Sequence, residues 1–245
     1  MMWRPFFLAL QFLTRVPVPA MAAVDDRDLG RSLLWYPLVG LLVGLTLAAW
    51  DWVIGGAPVG LRAALVLCAW VLVTGALHLD GLGDSADAWM GGRGDRERTL
   101  AIMKDPCSGP GAVVTLVVVL IVKFAALESI LATGDWIPLV FAPLLARALL
   151  PLLFLTTPYV RPGGLGAGMA QHLPRRTAVG VVLATAFVVP AFTGAQGVWS
   201  LAVATLVFIL LRALMMRRIG GTTGDTAGAM VELIETATLV AASVA

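Results

Sequence analysis

Seven long apolar stretches separated by short polar links make up most of the chain. Each is close to the roughly 20 residues that a helix needs to cross a bilayer with every backbone group satisfied. The pattern predicts spans over about Ser32–Ile54, Gly60–Leu77, Gly111–Leu131, Trp136–Thr156, Thr177–Phe192, Val198–Met215 and Asp225–Ala242. Pro190 is expected to kink or end the fifth. Trp35, Tyr36, Trp50 and Trp52 sit near the ends of the first, where aromatic side chains anchor at an interface. Gly40 and Gly44, four apart, make a small-residue face for close helix contact. No repeat of fixed period and no low-complexity linker divides the chain, so residues 1–245 are read as one domain: an all-α, polytopic transmembrane helical bundle.

The first residues differ from the rest. An apolar run opened by Arg4, broken by Gln11 and closed by Arg15, Pro17 and Pro19 imitates a signal peptide, with an Ala-x-Ala triplet at Ala20–Ala22. The interruption favours instead an amphipathic segment lying on the membrane surface.

Composition supports the membrane reading. The chain is 59% hydrophobic and 13% charged, about half the charged content of a soluble domain. A net charge of +2 gives no argument for nucleic acid. Two cysteines, Cys68 and Cys107, form no disulfide framework. The distribution of charge says more than its sum. With a cytoplasmic N-terminus, thirteen of the seventeen Lys and Arg residues fall on the cytoplasmic side, as the positive-inside rule requires. Every substantial polar link then lies on that face, and any chemistry belongs there.

The most informative link is HLDGLGDSADAWMGG, residues 78–92. Asp80, Asp84 and Asp87 are spaced so that all three fall within about 60° on one helical face. Like charges at that spacing oppose one another's ionisation unless a cation neutralises them. Oxygen ligands without cysteine point to Mg²⁺ or Mn²⁺, and Mg²⁺ usually arrives with substrate phosphates. A solvated acidic loop is the bland alternative, and it suits one carboxylate better than three in register.

Three more polar segments share the face. IMKDPCSGPG, residues 102–111, sets Lys104 and Asp105 before a Pro/Gly turn that opens a helix; alone it reads equally as a juxtamembrane turn. Residues 159–176 combine Arg161 with glycines and Arg175 and Arg176, a pattern shared by phosphate sites and lipid-facing basic loops. GGTTGDTAGAMVELIE, residues 220–235, puts Asp225 and Glu232 on one face with Gly228 and Ala229 between them. A carboxylate as deep in a span as Glu232 needs a polar cavity or a cation. Glu235 could pair with a base such as Arg147, and both Arg147 and Lys123 are open to either an internal or a substrate role. His78 and His172 stand alone and read as structural. Together these features describe metal-assisted phosphoryl transfer. No Gly-x-x-x-x-Gly-Lys-Ser/Thr run suggests a nucleotide-driven motor.

Several of these motifs, in this order, resemble the cobalamin 5'-phosphate synthase family, the adenosylcobinamide-GDP ribazoletransferases. LQFLTRVPVP at 10–19, WYPLVGLLVG at 35–44, HLDGLGDSADA at 78–88, IMKD at 102–105 and GGTTGDTAGAMVELIE at 220–235 carry the likeness, which covers almost the whole chain. The resemblance implies a Mg²⁺-dependent enzyme integral to the bacterial cytoplasmic membrane, its site facing the cytoplasm, acting in the last stage of cobalamin assembly. It would transfer adenosylcobinamide phosphate from adenosylcobinamide-GDP to α-ribazole or its 5'-phosphate and release GMP. Asp80, Asp84, Asp87 and Asp225 would be the catalytic metal ligands. Substrate contacts would come from Lys104, Asp105, Arg147, Arg161 and Glu232, with Lys104 and Arg147 on the diphosphate. Other cobalamin assembly enzymes and a second copy of the chain are the expected protein partners. Two rivals are weighed against this. A CDP-alcohol phosphotransferase would carry an Asp-Gly-x-x-Ala-Arg motif, which this chain lacks; a divalent-cation transporter would place its carboxylates at mid-membrane.

Overall fold

The computed structural model describes residues 3–19 and 24–244; the Ala20–Ala22 triplet lies outside them. The described chain is helical throughout, with one isolated β-bridge and no strand. Its helices are α1 (Arg4–Leu13), α2 (Asp26–Ser32), α3 (Tyr36–Val53, entered through a 3-10 turn), α4 (Val59–Thr74), α5 (Leu77–Gly91), α6 (Arg96–Ile102), α7 (Pro110–Thr133), α8 (Ile137–Thr156), α9 (Leu165–His172), α10 (Arg175–Ile219) and α11 (Gly224–Ser243).

Each of the seven expected spans coincides with helix, yet they are not equivalent. Among the described residues, four helical stretches are long and apolar enough to cross a membrane alone: Asp26–Val53, α7, α8 and α10. A fifth is reached by counting α4 and α5 together, two helices bent by 87°. α4 is too short by itself, and the threonines and carboxylates of α11 make it the polar helix of the interior. The fifth and sixth expected spans are the two limbs of α10, two helices that meet at a kink, with Arg175 of one and Arg212 of the other bonding the adjacent carbonyls of Leu155 and Thr156. The first limb continues through Pro190 and breaks at Gly194, whose φ of 59° and ψ of −135° suit glycine. The break expected at the proline therefore falls four residues later.

α8 is the central post. Its apolar window is 78% buried, whereas those of α7 and α10 are 22% and 17% buried and display Val, Ile, Leu and Phe outward. In a bilayer such surfaces meet lipid at no hydrophobic cost. α3 lies against α8 through the predicted small-residue face. A Cβ at Gly44 would stand 2.5 Å from the Val140 Cα, and one at Gly40 would collide with the Pro143 carbonyl oxygen. α11 packs on α5, α7, α8 and α10, so it is enclosed on several sides.

The turn between α4 and α5 positions the acidic motif. Gly75 and Ala76 both adopt left-handed φ, at 62° and 58°. Their N–H groups bond back to Leu72 and Val71, closing α4 and redirecting the chain. Arg15 covers the corner: its N–H donates to the Val73 carbonyl at 2.7 Å, and its side chain packs over Gly75. The segment after α1 thereby braces the bend that aims Asp80, Asp84 and Asp87.

Candidate active site where two acidic helices cross

Two local devices bring the acidic segments together. The first is a crossing of α5 over α11 at glycine. A Cβ on Gly81 would lie 2.6 Å from the Asp225 carbonyl oxygen and 3.1 Å from its Cα, and Gly228 on the opposite helix faces His78 and Gly81. Only hydrogen at Gly81 permits the approach. The second is the β-bridge between Tyr159 and Thr222, in which Thr222 N–H donates to Pro158 O at 2.8 Å and Val160 N–H to Thr222 O at 2.9 Å. A Cβ at Gly221 would strike Pro158 O and lie 2.5 Å from Val160 Cγ1. The bridge holds Arg161 beside the start of α11, where its guanidinium donates to Asp225 Oδ2 at 2.8 Å.

Asp225 itself sits in the first turn of α11, which is closed by a capping box: the Thr223 hydroxyl accepts from Thr226 N–H at 3.2 Å, and Thr223 N–H donates to the Thr226 hydroxyl at 2.9 Å. An acid there is also favoured by the helix dipole. Asp84 feels the charges of Asp80, Asp225 and Asp87 together with that of Arg161. Four carboxylates thus share one region with a single guanidinium.

The three aspartates of α5 have different surroundings. Asp80 is exposed and lines a cavity of about 240 Å³ together with Arg161 and Asp225. Asp84 is half-buried. Asp87 is turned to α7, where Oδ2 accepts from Gly109 N–H and Oδ1 from Ala112 N–H at 2.9 Å, capping that helix from outside. Its remaining lone pairs are free for another ligand.

Around the cavity, apolar walls from Phe12, Leu13, Leu77, Leu150, Phe154 and Met169 lead to the polar end formed by Asp80, Arg161 and Asp225. Tyr159 stacks on Phe154 with centroids 6.1 Å apart, and burial pushes its hydroxyl pKa up. A second pocket of about 60 Å³ adjoins, lined by Lys104, Met103, Thr223, Arg161 and Asp225 among others. Asp105, next to Lys104, is exposed and accepts from Cys107 N–H at 3.0 Å, shaping the turn before α7.

Arg147 and Glu232 lie elsewhere. Lys123 bridges Glu232 at 2.6 Å and Glu235 at 2.7 Å, Glu235 also pairs with Arg147, and Arg147 approaches His78 Nδ1 at 3.5 Å. Lys123 additionally sits 4.1 Å over the Trp70 ring. This is an interior ion network joining α5, α7, α8 and α11, with two cations matched to two carboxylates.

The chain matches the family model described as cobalamin-5-phosphate synthase over residues 5–243. It belongs to the cobalamin-5-phosphate synthase family. Similar curated proteins of this family include the adenosylcobinamide-GDP ribazoletransferase of Pseudomonas putida (strain W619), 58% identical over 94% of this chain and 95% of that one. That of Pseudomonas entomophila (strain L48) is 57% identical over 96% and 97%. No solved structure matches the chain. For a cobalamin-5-phosphate synthase, the donor set at the crossing suits a hard divalent cation, being oxygen only and carrying excess negative charge. Among the described residues, no three His, Cys, Asp or Glu side chains converge on one point, so ligation would require carboxylates to rotate inward.

Reasoning from sequence missed part of this site. Phe12 and Leu13, from the N-terminal arm, and Met169, from α9, form the apolar wall; nothing in their spacing marks them as neighbours of Asp80. His78, read as structural, lines the same cavity and also touches the ion network.

Proposed function

We propose that this protein transfers the adenosylcobinamide phosphate group of adenosylcobinamide-GDP to a ribose hydroxyl of ribazole or its 5'-phosphate, releasing GMP in the last stage of cobalamin biosynthesis. Identity of 58% to a curated ribazoletransferase across nearly both full lengths carries the reading. The grouping of Asp80 and Asp225 with Arg161 around a cavity of about 240 Å³, with Asp84 close enough to feel all three charges, supports it.

In the reaction, the acceptor hydroxyl oxygen bonds to the cobinamide-linked phosphorus. The bond from that phosphorus to the bridging oxygen breaks, and its electron pair leaves with GMP. A carboxylate at the polar end of the cavity takes the hydroxyl proton. Arg161 and Lys104 offer charge to the phosphates of the donor. Asp80, Asp84, Asp87 and Asp225 are the side chains that would hold Mg²⁺, which when bound neutralises charge on the diphosphate. We read the protein as integral to the bacterial inner membrane with this site facing the cytoplasm, supported by the one-sided distribution of Lys and Arg.

The test is GMP release by purified protein supplied with adenosylcobinamide-GDP, α-ribazole and Mg²⁺, beside Asp84→Asn. Release should require ribazole and the metal and should fall by roughly a hundredfold or more in the variant, the scale of losing one preorganised electrostatic group. Folded wild-type protein that releases no GMP would overturn the reading.

A further inference from the structure

The two pockets of the site differ in chemistry and meet at one ion pair. Arg161 and Asp225 line both, so a group on either side of the guanidinium is in reach of the same charge. Resting on the ribazoletransferase reading, we propose that the larger cavity is the acceptor subsite, which seats the flat base of ribazole on its apolar wall with the ribose toward Asp80 and Asp225. The pocket beside Lys104 is the donor's phosphate subsite, and Arg161 is the contact common to both substrates.

Size makes the first division. A cavity of about 240 Å³ lies just below the range of about 300–1,000 Å³ typical of small-molecule pockets. It admits a nucleoside and excludes a corrinoid macrocycle, so the bulk of the donor must remain outside. Wall chemistry makes the second. Phe12, Leu150, Phe154 and Met169 offer an apolar slot, and the Phe154–Tyr159 stack sets one wall in advance at an interplanar angle of 16°. A ligand with an aromatic body and a hydroxylated sugar matches a mostly apolar cavity that also carries Asp80 and the Arg161–Asp225 pair.

Charge decides the third. The large cavity sets the carboxylates of Asp80 and Asp225 against one guanidinium, so its own side chains offer acceptors to ribose hydroxyls more than donors to phosphate, and a phosphate reaches them only through a bound cation. The small pocket has Lys104 and Arg161 against Asp225. At about 60 Å³ it is a quarter of the larger cavity's 240 Å³, a size that suits a phosphoryl group better than a nucleoside.

The test separates the substrates. GMP release is measured with each substrate varied in turn, and α-ribazole binding is measured by equilibrium dialysis without donor, on wild type, Phe12→Ala, Ala227→Leu and Lys104→Ala. Phe12 is 38% exposed, so its removal leaves the core intact, while Ala227→Leu fills the cavity from α11. Both should weaken ribazole binding and raise its KM by about tenfold or more, the scale of one altered apolar contact in a specificity pocket. Both should leave the donor KM within about twofold, a difference too small to reflect a lost contact. Lys104→Ala should do the reverse, and Lys104→Arg should restore the donor KM. Unchanged ribazole binding in both cavity variants, or a donor KM that rises in them instead, overturns the subsite assignment even if GMP is released. Ribazole binding that weakens as stated, with no GMP formed by wild type, would keep the subsite and remove the reaction.

Discussion

Glu235→Gln is the sharpest probe of the interior ion network. Glu235 is wholly buried and accepts from Lys123 at 2.7 Å and from Arg147, which is itself wholly buried. The amide preserves volume but removes the charge, leaving Glu232 alone to balance two cations. Uncompensating a buried ion pair costs about 3–5 kcal/mol. At about 2–4 °C per kcal/mol for a chain of this length, the melting temperature should fall by roughly 6–20 °C. Thermal unfolding in detergent, followed by near-ultraviolet circular dichroism, reads the shift. The double variant Arg147→Met with Glu235→Met deletes one charge of each sign and retains the Lys123–Glu232 pair, so it should melt well above Glu235→Gln. Folded Glu235→Gln protein should still release GMP, because Glu235 lines neither pocket of the site. A melting temperature within about 2 °C of wild type, less than 1 kcal/mol on the same scale, would refute the reasoning by showing that water or rotation relieves the stranded charge.

Two further outcomes test how the site is assembled. Gly81→Ala sets a methyl 2.6 Å from the Asp225 carbonyl oxygen, a backbone atom that can yield only if α5 and α11 part; GMP release should fall by at least about tenfold, as expected when reacting groups are misplaced by about an ångström, while far-ultraviolet dichroism stays unchanged. Asp87→Ala removes both side-chain acceptors at the α7 N-terminus and should cost about 1–2 kcal/mol, or roughly 2–8 °C in melting temperature, whereas a variant melting like wild type would show that the cap contributes nothing.

The sequence by itself determined that the long apolar segments are helical, because apolar length and turn residues act locally, whereas the short helices α2, α6 and α9 within the polar links carry no such signal. It also determined that Asp80, Asp84 and Asp87 share a helix and that Gly40 and Gly44 form a contact face. The ordered motifs were enough to point to the family. Spacing could not assign partners to buried charges. Glu232 and Arg147 satisfy the same rule as substrate ligands, and only the packing of α7, α8 and α11 shows them neutralised inside the bundle. Nor could it show that α4 and α5 bend by 87°, since the left-handed turn at Gly75–Ala76 depends on what packs over it. The break at Gly194 rather than Pro190 has a similar cause: a proline forfeits one helix hydrogen bond and can be carried, whereas a positive φ needs glycine. The cavity belongs wholly to the tertiary structure, because its walls come from α1, α3, α5, α8, α9, α11 and the segment before α9, and contacts between residues so far apart in sequence leave no local periodicity to read.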